Sequence, residues 1–313
     1  MSTAPPNRRQ FLATSLSATG AALLSSCESP HGAAKAKSGY IDAHVHVWTP
    51  DTKAYPLAPD PILKRDMKPL SFTPEQLFAH CKPEGVNRIV LIQMSFYKYD
   101  NRYMLDMMEK YDDTFSGVAI VDENAPNVCA TIKSLAKRDV RGFRIYASHA
   151  QAAAWGEGMK QVWTCAGDHG LAVCLLADPE SLPIVSQWCA QYPRTRVVID
   201  HFARIGMKGP IKQHDVDNLC RLAEFRHTHV KTSAFYALGK RKAPYTDMAP
   251  LIRRLRDSYG ASRLMWASDC PFQVQDGHTY HNSIALIRDH LDFLTPEDKN
   301  WMLRGTADKV FFS

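Results

Sequence analysis

The stretch YIDAHVHVW at residues 40–48 sets two imidazoles, His44 and His46, one residue apart behind a carboxylate, Asp42, inside an otherwise apolar run. In an extended strand, residues two apart share a face. Asp42, His44 and His46 are therefore expected on one side, with Ile41, Ala43, Val45 and Val47 packed on the other. Paired imidazoles can ligate a divalent ion, polarise a carbonyl or move a proton. Further polar residues close other apolar runs: Arg144 and Tyr146 in RGFRIYA, Asp200 and His201 in RVVIDHFA, Ser233 in VKTSAFY and Asp269 in RLMWASD. A lone His in such a run is usually a satisfied core group. Three of them with an Asp, all at the ends of apolar runs, read as a site.

The elements that must position these residues alternate along the chain. Short β-rich runs are predicted at 40–47, 87–93, 116–122, 141–147, 171–177, 196–203, 230–236 and 263–269. Between them lie segments with helical spacing, such as Tyr103, Leu105, Met108 and Tyr111, then Val128, Ile132 and Leu135, then Leu251, Ile252, Leu255 and Tyr259. Pro74 and Pro296, each after a Thr and before a Glu, mark helix starts. Eight strands alternating with helices predict a single α/β domain over 40–313, a (β/α)8 barrel. Such barrels carry their chemistry at the C-terminal ends of the strands, where His44, His46, Arg144, His201, Ser233 and Asp269 fall.

IDAHVHVW, VIDHFA and WASDCPF resemble the amidohydrolase superfamily, in particular its amidohydrolase-related branch of sugar lactonases and dicarboxylate lactonases. SFYKYDNRYMLDMM, VRGFRIY and RGTADKVF extend the similarity through residues 40–312. The resemblance implies a TIM barrel and hydrolytic chemistry, and nominates His44, His46, His201 and Asp269 for the site. Two departures matter. Metal-rich members carry a bridging Lys or Glu on strand four and a His on strand five, where this chain has Arg144 and LAVCLLA. No more than one divalent ion, zinc first, is therefore expected, held by His44, His46 and Asp269 with His201. The branch also contains metal-free members in which histidines polarise the carbonyl themselves, and both modes stay open.

Opening a lactone needs a base for water, donors or a cation for the oxyanion, and an acid for the leaving alkoxide. Asp269 is the candidate base, with His44, His46 and His201 holding the carbonyl oxygen directly or through a metal. Arg144 has the fork that matches a carboxylate, or else pairs with a structural Asp inside the barrel. Tyr146, Ser233, Lys98, Tyr99 and Arg204 are further substrate-binding candidates. Arg102 and His278 sit on predicted loops above the rim, and Trp48 and Trp155 wall the pocket or simply pack. Two other readings stand beside the lactonase: a zinc-dependent decarboxylase of the same branch, weakened by the missing strand-five His, and a ligand-binding lipoprotein without catalysis.

Of the 313 residues, 45% are hydrophobic and 22% charged, ordinary values for a globular protein with a sizeable core. The net charge of +6 owes half its value to the first 38 residues, through Arg8, Arg9, Lys35 and Lys37 against Glu28, so a nucleic-acid partner is not expected. A small-molecule substrate is. Residues 1–27, with NRRQFLATSLSATGAALLSSC, resemble a twin-arginine export signal ending in a lipobox-like Leu24–Cys27, and 28–39 read as a flexible tether. Export to the periplasm, with Cys27 as a lipid anchor, is the expected localisation. The eight cysteines show no CxxC pair, and most read as small buried hydrophobes kept reduced during cytoplasmic folding.

Overall fold

The computed structural model describes residues 39–59 and 67–313, so Arg8, Arg9, Cys27 and the rest of the leader and tether up to residue 38 lie outside the described residues. Eight strands form one sheet: β1 (Tyr40–Val45), β2 (Val86–Ile92), β3 (Phe115–Ala119), β4 (Val140–Ala147), β5 (Ala172–Ala177), β6 (Arg196–Ile199), β7 (Thr228–Thr232) and β8 (Leu264–Trp266). Each pairs in parallel with the next in chain order. Helices lie between them, and the chain is a (β/α)8 TIM barrel.

The strands are apolar almost end to end because parallel strands are covered on both faces. Ile41, Ala43, Val90, Val118, Cys174, Val198 and Met265 bury together, and Ala307, Val310 and Phe311 of the C-terminal helix Thr306–Phe311 join that cluster. Outside it, helices Arg102–Lys110, Val128–Ala136 and Ala249–Tyr259 bury the faces that the spacing marked, including Leu105, Met108, Ile132, Leu251, Ile252 and Leu255. Pro74 and Pro296 each occupy the first turn of a helix, behind Thr73 and Thr295. The Thr295 hydroxyl accepts from the Asp298 N–H at 3.1 Å and the Asp298 carboxylate from the Thr295 N–H at 3.0 Å, a reciprocal cap.

The barrel closes between β1 and β8 through a few bonds rather than a full ladder. His46 N–H donates to Cys270 C=O at 2.8 Å and Asp269 N–H to His44 C=O at 2.9 Å. Asp42 adds the side-chain staple: Oδ1 accepts from the N–H of Ser268 at 2.9 Å and of His44 at 3.2 Å, and Oδ2 from Tyr280 OH at 2.7 Å.

This corrects the expectation that Asp42 shares a face with the imidazoles. The register of β1 on β2 shifts between Asp42 and Val45. An extra residue in one strand breaks the alternation of faces. Ile41 and Ala43 therefore join the inner cluster, Asp42 turns toward β8 and Tyr280, and the two histidines turn into the mouth of the barrel.

The cysteines are a second difference. Cys81, Cys174, Cys189, Cys220 and Cys270 are free and buried, as expected, but Cys129 and Cys165 form a disulfide. Cys129 lies on Val128–Ala136 and Cys165 on Glu157–Asp168, neighbouring helices that bring residues 36 apart in sequence to a Cα separation of 5.7 Å. Among the described residues no helix is long and apolar enough to cross a membrane.

Candidate active site

His44, His46, His201 and Asp269 meet at the C-terminal mouth of the barrel. His44 and His46 come from the end of β1, while His201 and Asp269 follow the last residues of β6 and β8, both strands ending earlier than the sequence pattern suggests. The backbone turns sharply at both places. His201 has φ +51° and begins a left-handed run through Phe202, Ala203 and Arg204, and Asp269 has φ +64°. Non-glycine residues adopt this region at a cost that only a well-determined surrounding sustains, and such strain gathers at functional sites.

The atoms converge closely. His44 Nε2 is 3.2 Å from His46 Nε2 and 3.5 Å from Asp269 Oδ1, His46 Nε2 is 3.4 Å from the same oxygen, and His201 Nε2 is 3.7 Å from Asp269 Oδ2. Each ring is also held from behind. His46 Nδ1 donates to Ile92 C=O at 2.8 Å, His201 Nδ1 bonds Ser233 Oγ at 2.8 Å, and His44 Nδ1 faces Lys231 Nζ at 3.1 Å and Asp200 Oδ1 at 3.4 Å. All four residues are buried.

Burial sets the charges. It pushes the His44 imidazole well below its ordinary 6.5, helped by the Lys231 cation, and lowers His201 in spite of nearby carboxylates. Burial alone would raise Asp269. Attraction from His201, a hydrogen bond from His46 and the charges of His44 and His46 outweigh it, and the carboxyl stays ionised far below the usual range. Imidazole nitrogens around a carboxylate are what a metal, or a water about to lose a proton, requires.

Ligand atoms about 2.0–2.1 Å from a tetrahedral ion stand about 3.3–3.4 Å apart, and His44 with Asp269, His46 with Asp269 and His201 with Asp269 lie 3.4 to 3.7 Å apart. His44, His201 and Asp269 each offer an atom within 4.8 Å of the others, so this group could hold an ion.

The substrate-binding candidates separate into two sets. Arg144, Tyr146, Lys98 and Tyr99 line a cavity of about 650 Å³, together with Trp155. The Arg144 guanidinium lies over the Tyr146 ring at 5.5 Å, its Nε is buried without a partner, and it makes no ion pair among the described residues, so the alternative of a structural Asp partner does not hold. Its charge is felt at His201 and Tyr236, which links cavity and cluster. Gly158 lets the cavity-lining helix approach, since a Cβ there would meet Glu123 O at 2.1 Å. The rest sit elsewhere. Arg204 pairs with Asp178 at 2.9 Å, Arg102 with Asp100 at 2.7 Å, and His278 Nδ1 bonds Tyr245 OH at 2.7 Å. Trp48 is fully buried against Phe72, Phe96 and Phe272, a packing role.

Two residues in the cluster escaped the sequence reading. Tyr236 OH donates to Asp269 Oδ2 at 2.7 Å, and Lys231, fully buried on β7, pairs with Asp200 at 2.9 Å. Lys231 had a signal, a lone cation inside the apolar run HVKTSAF. Tyr236 had none, because loop geometry alone brings it back over the mouth.

A TIM barrel with HxH on its first strand, a His after the sixth and an Asp after the eighth defines a class of hydrolytic barrel enzymes. The family model described as amidohydrolase matches residues 41–312, and the chain belongs to that family as one of its enzymes. It is 29% identical over 275 residues to L-fucono-1,5-lactonase of Burkholderia ambifaria, covering 85% of this chain and 93% of that one. It is 24% identical to a 2-pyrone-4,6-dicarboxylate hydrolase of Comamonas testosteroni, over 84% of this chain and 86% of the other. The crystal structure of an amidohydrolase from Burkholderia multivorans with bound zinc superposes with a TM-score of 0.74 over 88% of this chain and 99% of that one, at 18% identity, a likeness of fold.

Proposed function

We propose that the protein is a lactone hydrolase, acting on a sugar lactone or a carboxylated lactone. The observation that carries this reading is an ionised Asp269 facing three imidazoles at the barrel mouth, beside a cavity that holds an arginine with no ion pair among the described residues. The lactonase and pyrone hydrolase among its relatives support it.

In this scheme the lactone lies with its ring in the cavity and its carbonyl at the imidazoles. Asp269 accepts a proton from water as the oxygen attacks the carbonyl carbon. N–H groups of the imidazoles hold the oxyanion, the ring C–O bond breaks, and the protonated Asp269 returns its proton to the departing alkoxide, leaving a hydroxy acid. Asp269 is a weak base at its depressed pKa, so stabilisation of the oxyanion carries much of the barrier lowering. Where a divalent ion is bound, His44, His46, His201 and Asp269 would hold it, zinc suits this donor set, and it would supply Lewis-acid polarisation of the carbonyl. Arg144 binds a carboxylate or hydroxyl of the substrate, with Tyr146, Lys98 and Tyr99 lining its path. β5 offers no imidazole, which speaks against the decarboxylase reading.

A panel of aldonolactones and carboxylated lactones followed with a pH indicator tests the proposal. Acid release with at least one lactone is expected. Tight lactone binding without acid release would instead mark a binding protein.

We also propose export through the paired Arg8 and Arg9. The Cys129–Cys165 disulfide supports an oxidising destination, since such bonds persist outside the cytosol. Replacing both arginines by Lys should leave the protein in the cytoplasm on cell fractionation, and unchanged periplasmic protein would contradict this.

A further inference from the structure

A second group of metal-ligating side chains lies away from the barrel mouth, between two outer helices. Cys165, on helix Glu157–Asp168, and His169, its C-cap, stand four residues apart and so share a helix face. Cys129, in the first turn of the neighbouring helix Val128–Ala136, meets them from across the gap. One atom from each residue, two sulfurs and an imidazole nitrogen, all lie within 4.8 Å of one another. Cys165 is buried, Cys129 half-buried and His169 exposed, so the group opens to solvent on its imidazole side.

With its sulfurs joined, the group has no thiolate to offer a metal. Reduced, it becomes two thiolates and an imidazole, a donor set that suits zinc and rejects magnesium and calcium. Ligand atoms of this kind around a tetrahedral ion stand about 3.5–3.8 Å apart, within the span that the three side chains already cover. The two Cα atoms are 5.7 Å apart, so opening the S–S bond to admit an ion asks for side-chain rotation and not for movement of the helices. Water fills the fourth position on the exposed side. On the export route proposed above, the chain meets both redox states: it folds where thiols stay reduced and works where disulfides persist.

We propose that Cys129, Cys165 and His169 form a redox-gated site for one zinc-type ion, filled while the thiols are reduced and emptied when they join as the disulfide. Loading releases the two thiol protons as the thiolates bind. Discharge is a thiol–disulfide exchange with an external disulfide such as oxidised glutathione. The two cysteine sulfurs form their bond and lose two electrons, the external disulfide gains those electrons and takes up two protons to become two thiols, and the ion leaves. Either state ties the same two helices together, one turn from Val162 and two turns from Met159, both in the wall of the cavity. The test of this site needs neither lactone turnover nor export.

The probe is Co²⁺, because a thiolate–cobalt bond gives a near-ultraviolet charge-transfer band that the imidazoles and carboxylate of the barrel mouth cannot give. Purified protein is titrated without oxygen, once reduced with a phosphine and once oxidised, with circular dichroism as the check of folding. The reduced wild type should show the band, saturating at one thiolate-bound cobalt per chain, and excess Zn²⁺ should abolish it. The oxidised protein should show none, and oxidised glutathione added to the loaded protein should remove the band as the disulfide forms. Reduced Cys165→Ser should lose half the band or more. His169→Ala, a change at an exposed position, should keep the fold and bind cobalt about ten-fold or more weakly, since even an outer partner of a ligand is worth that much. A folded, reduced wild type without the band would overturn the proposal, and so would a band that persists after oxidation or survives undiminished in Cys165→Ser. Unchanged affinity in His169→Ala would remove the imidazole from the site and overturn it as stated.

Discussion

Arg144 is the residue whose surroundings say most about the substrate. Among the described residues its guanidinium has no carboxylate partner and its Nε is buried without a hydrogen-bond partner, in the wall of a cavity near the cluster of His44, His46, His201 and Asp269. Buried polar groups normally have partners, so the missing one is expected to arrive with the ligand. Arg144→Met should raise KM for carboxylated lactones by about ten-fold or more, the equivalent of a charge-assisted hydrogen bond of about 1.5–3 kcal/mol, with a smaller change for neutral sugar lactones. Steady-state kinetics on both substrate types checks it, and equal effects on the two would place the arginine in a structural role. At this scale the four cluster residues were legible because each is a polar side chain closing an apolar run. Lys231 and Tyr236 were not read, one a charge hidden within a strand, the other brought in by a loop.

At the scale of the element, the irregularity in β1 decides where HxH points. Residues two apart read as one face, and nothing in IDAHVHV shows that a register shift between Asp42 and Val45 breaks the alternation. All eight strands overlap the hydrophobic runs that predicted them, yet β3, β6, β7 and β8 end three or four residues early, and after β6 and β8 the chain leaves the ladder to swing His201 and Asp269 over the mouth. A hydrophobic count does not record that turn. Asp42 is the price of closing the barrel at this seam, a fully buried carboxylate that accepts from Ser268, His44 and Tyr280. Asp42→Ala would strand three donors, each costing about 1–3 kcal/mol when left buried and unpaired. A loss of about 3 kcal/mol or more in denaturant unfolding is expected, with Asp42→Asn milder because its amide oxygen still accepts. An alanine variant within about 0.5 kcal/mol of wild type, the range of ordinary surface changes, would show that the seam holds without it.

At the scale of the whole molecule, acid sensitivity includes a titrating group outside the site. His229 on β7 is buried below the site, and burial, with repulsion from Arg196 next, lowers its imidazole from the ordinary 6.5 to about 3. Between those values the unfolded chain binds a proton that the native protein refuses, so stability falls as pH drops from about 6.5 toward 3. The full span corresponds to about 5 kcal/mol. His229→Gln removes that proton and should flatten the acid limb of a thermal-midpoint profile relative to wild type. Parallel profiles would mean that His229 contributes nothing to acid sensitivity.

The central claim is that Asp269 performs the proton transfers of lactone opening and is not a structural counter-ion. Asn keeps its size and still accepts from Tyr236 OH, but cannot take a proton. Arg144 makes no ion pair with it, so the substitution leaves no stranded buried cation, whose cost would be about 3–5 kcal/mol. The decisive measurement is kcat on the best lactone substrate and the thermal midpoint, taken on the same preparation of Asp269→Asn and compared with wild type. A loss in kcat of about 10²–10⁴-fold or more with a nearly unchanged midpoint is the predicted result. A strongly destabilised variant that keeps near-normal turnover would contradict the account.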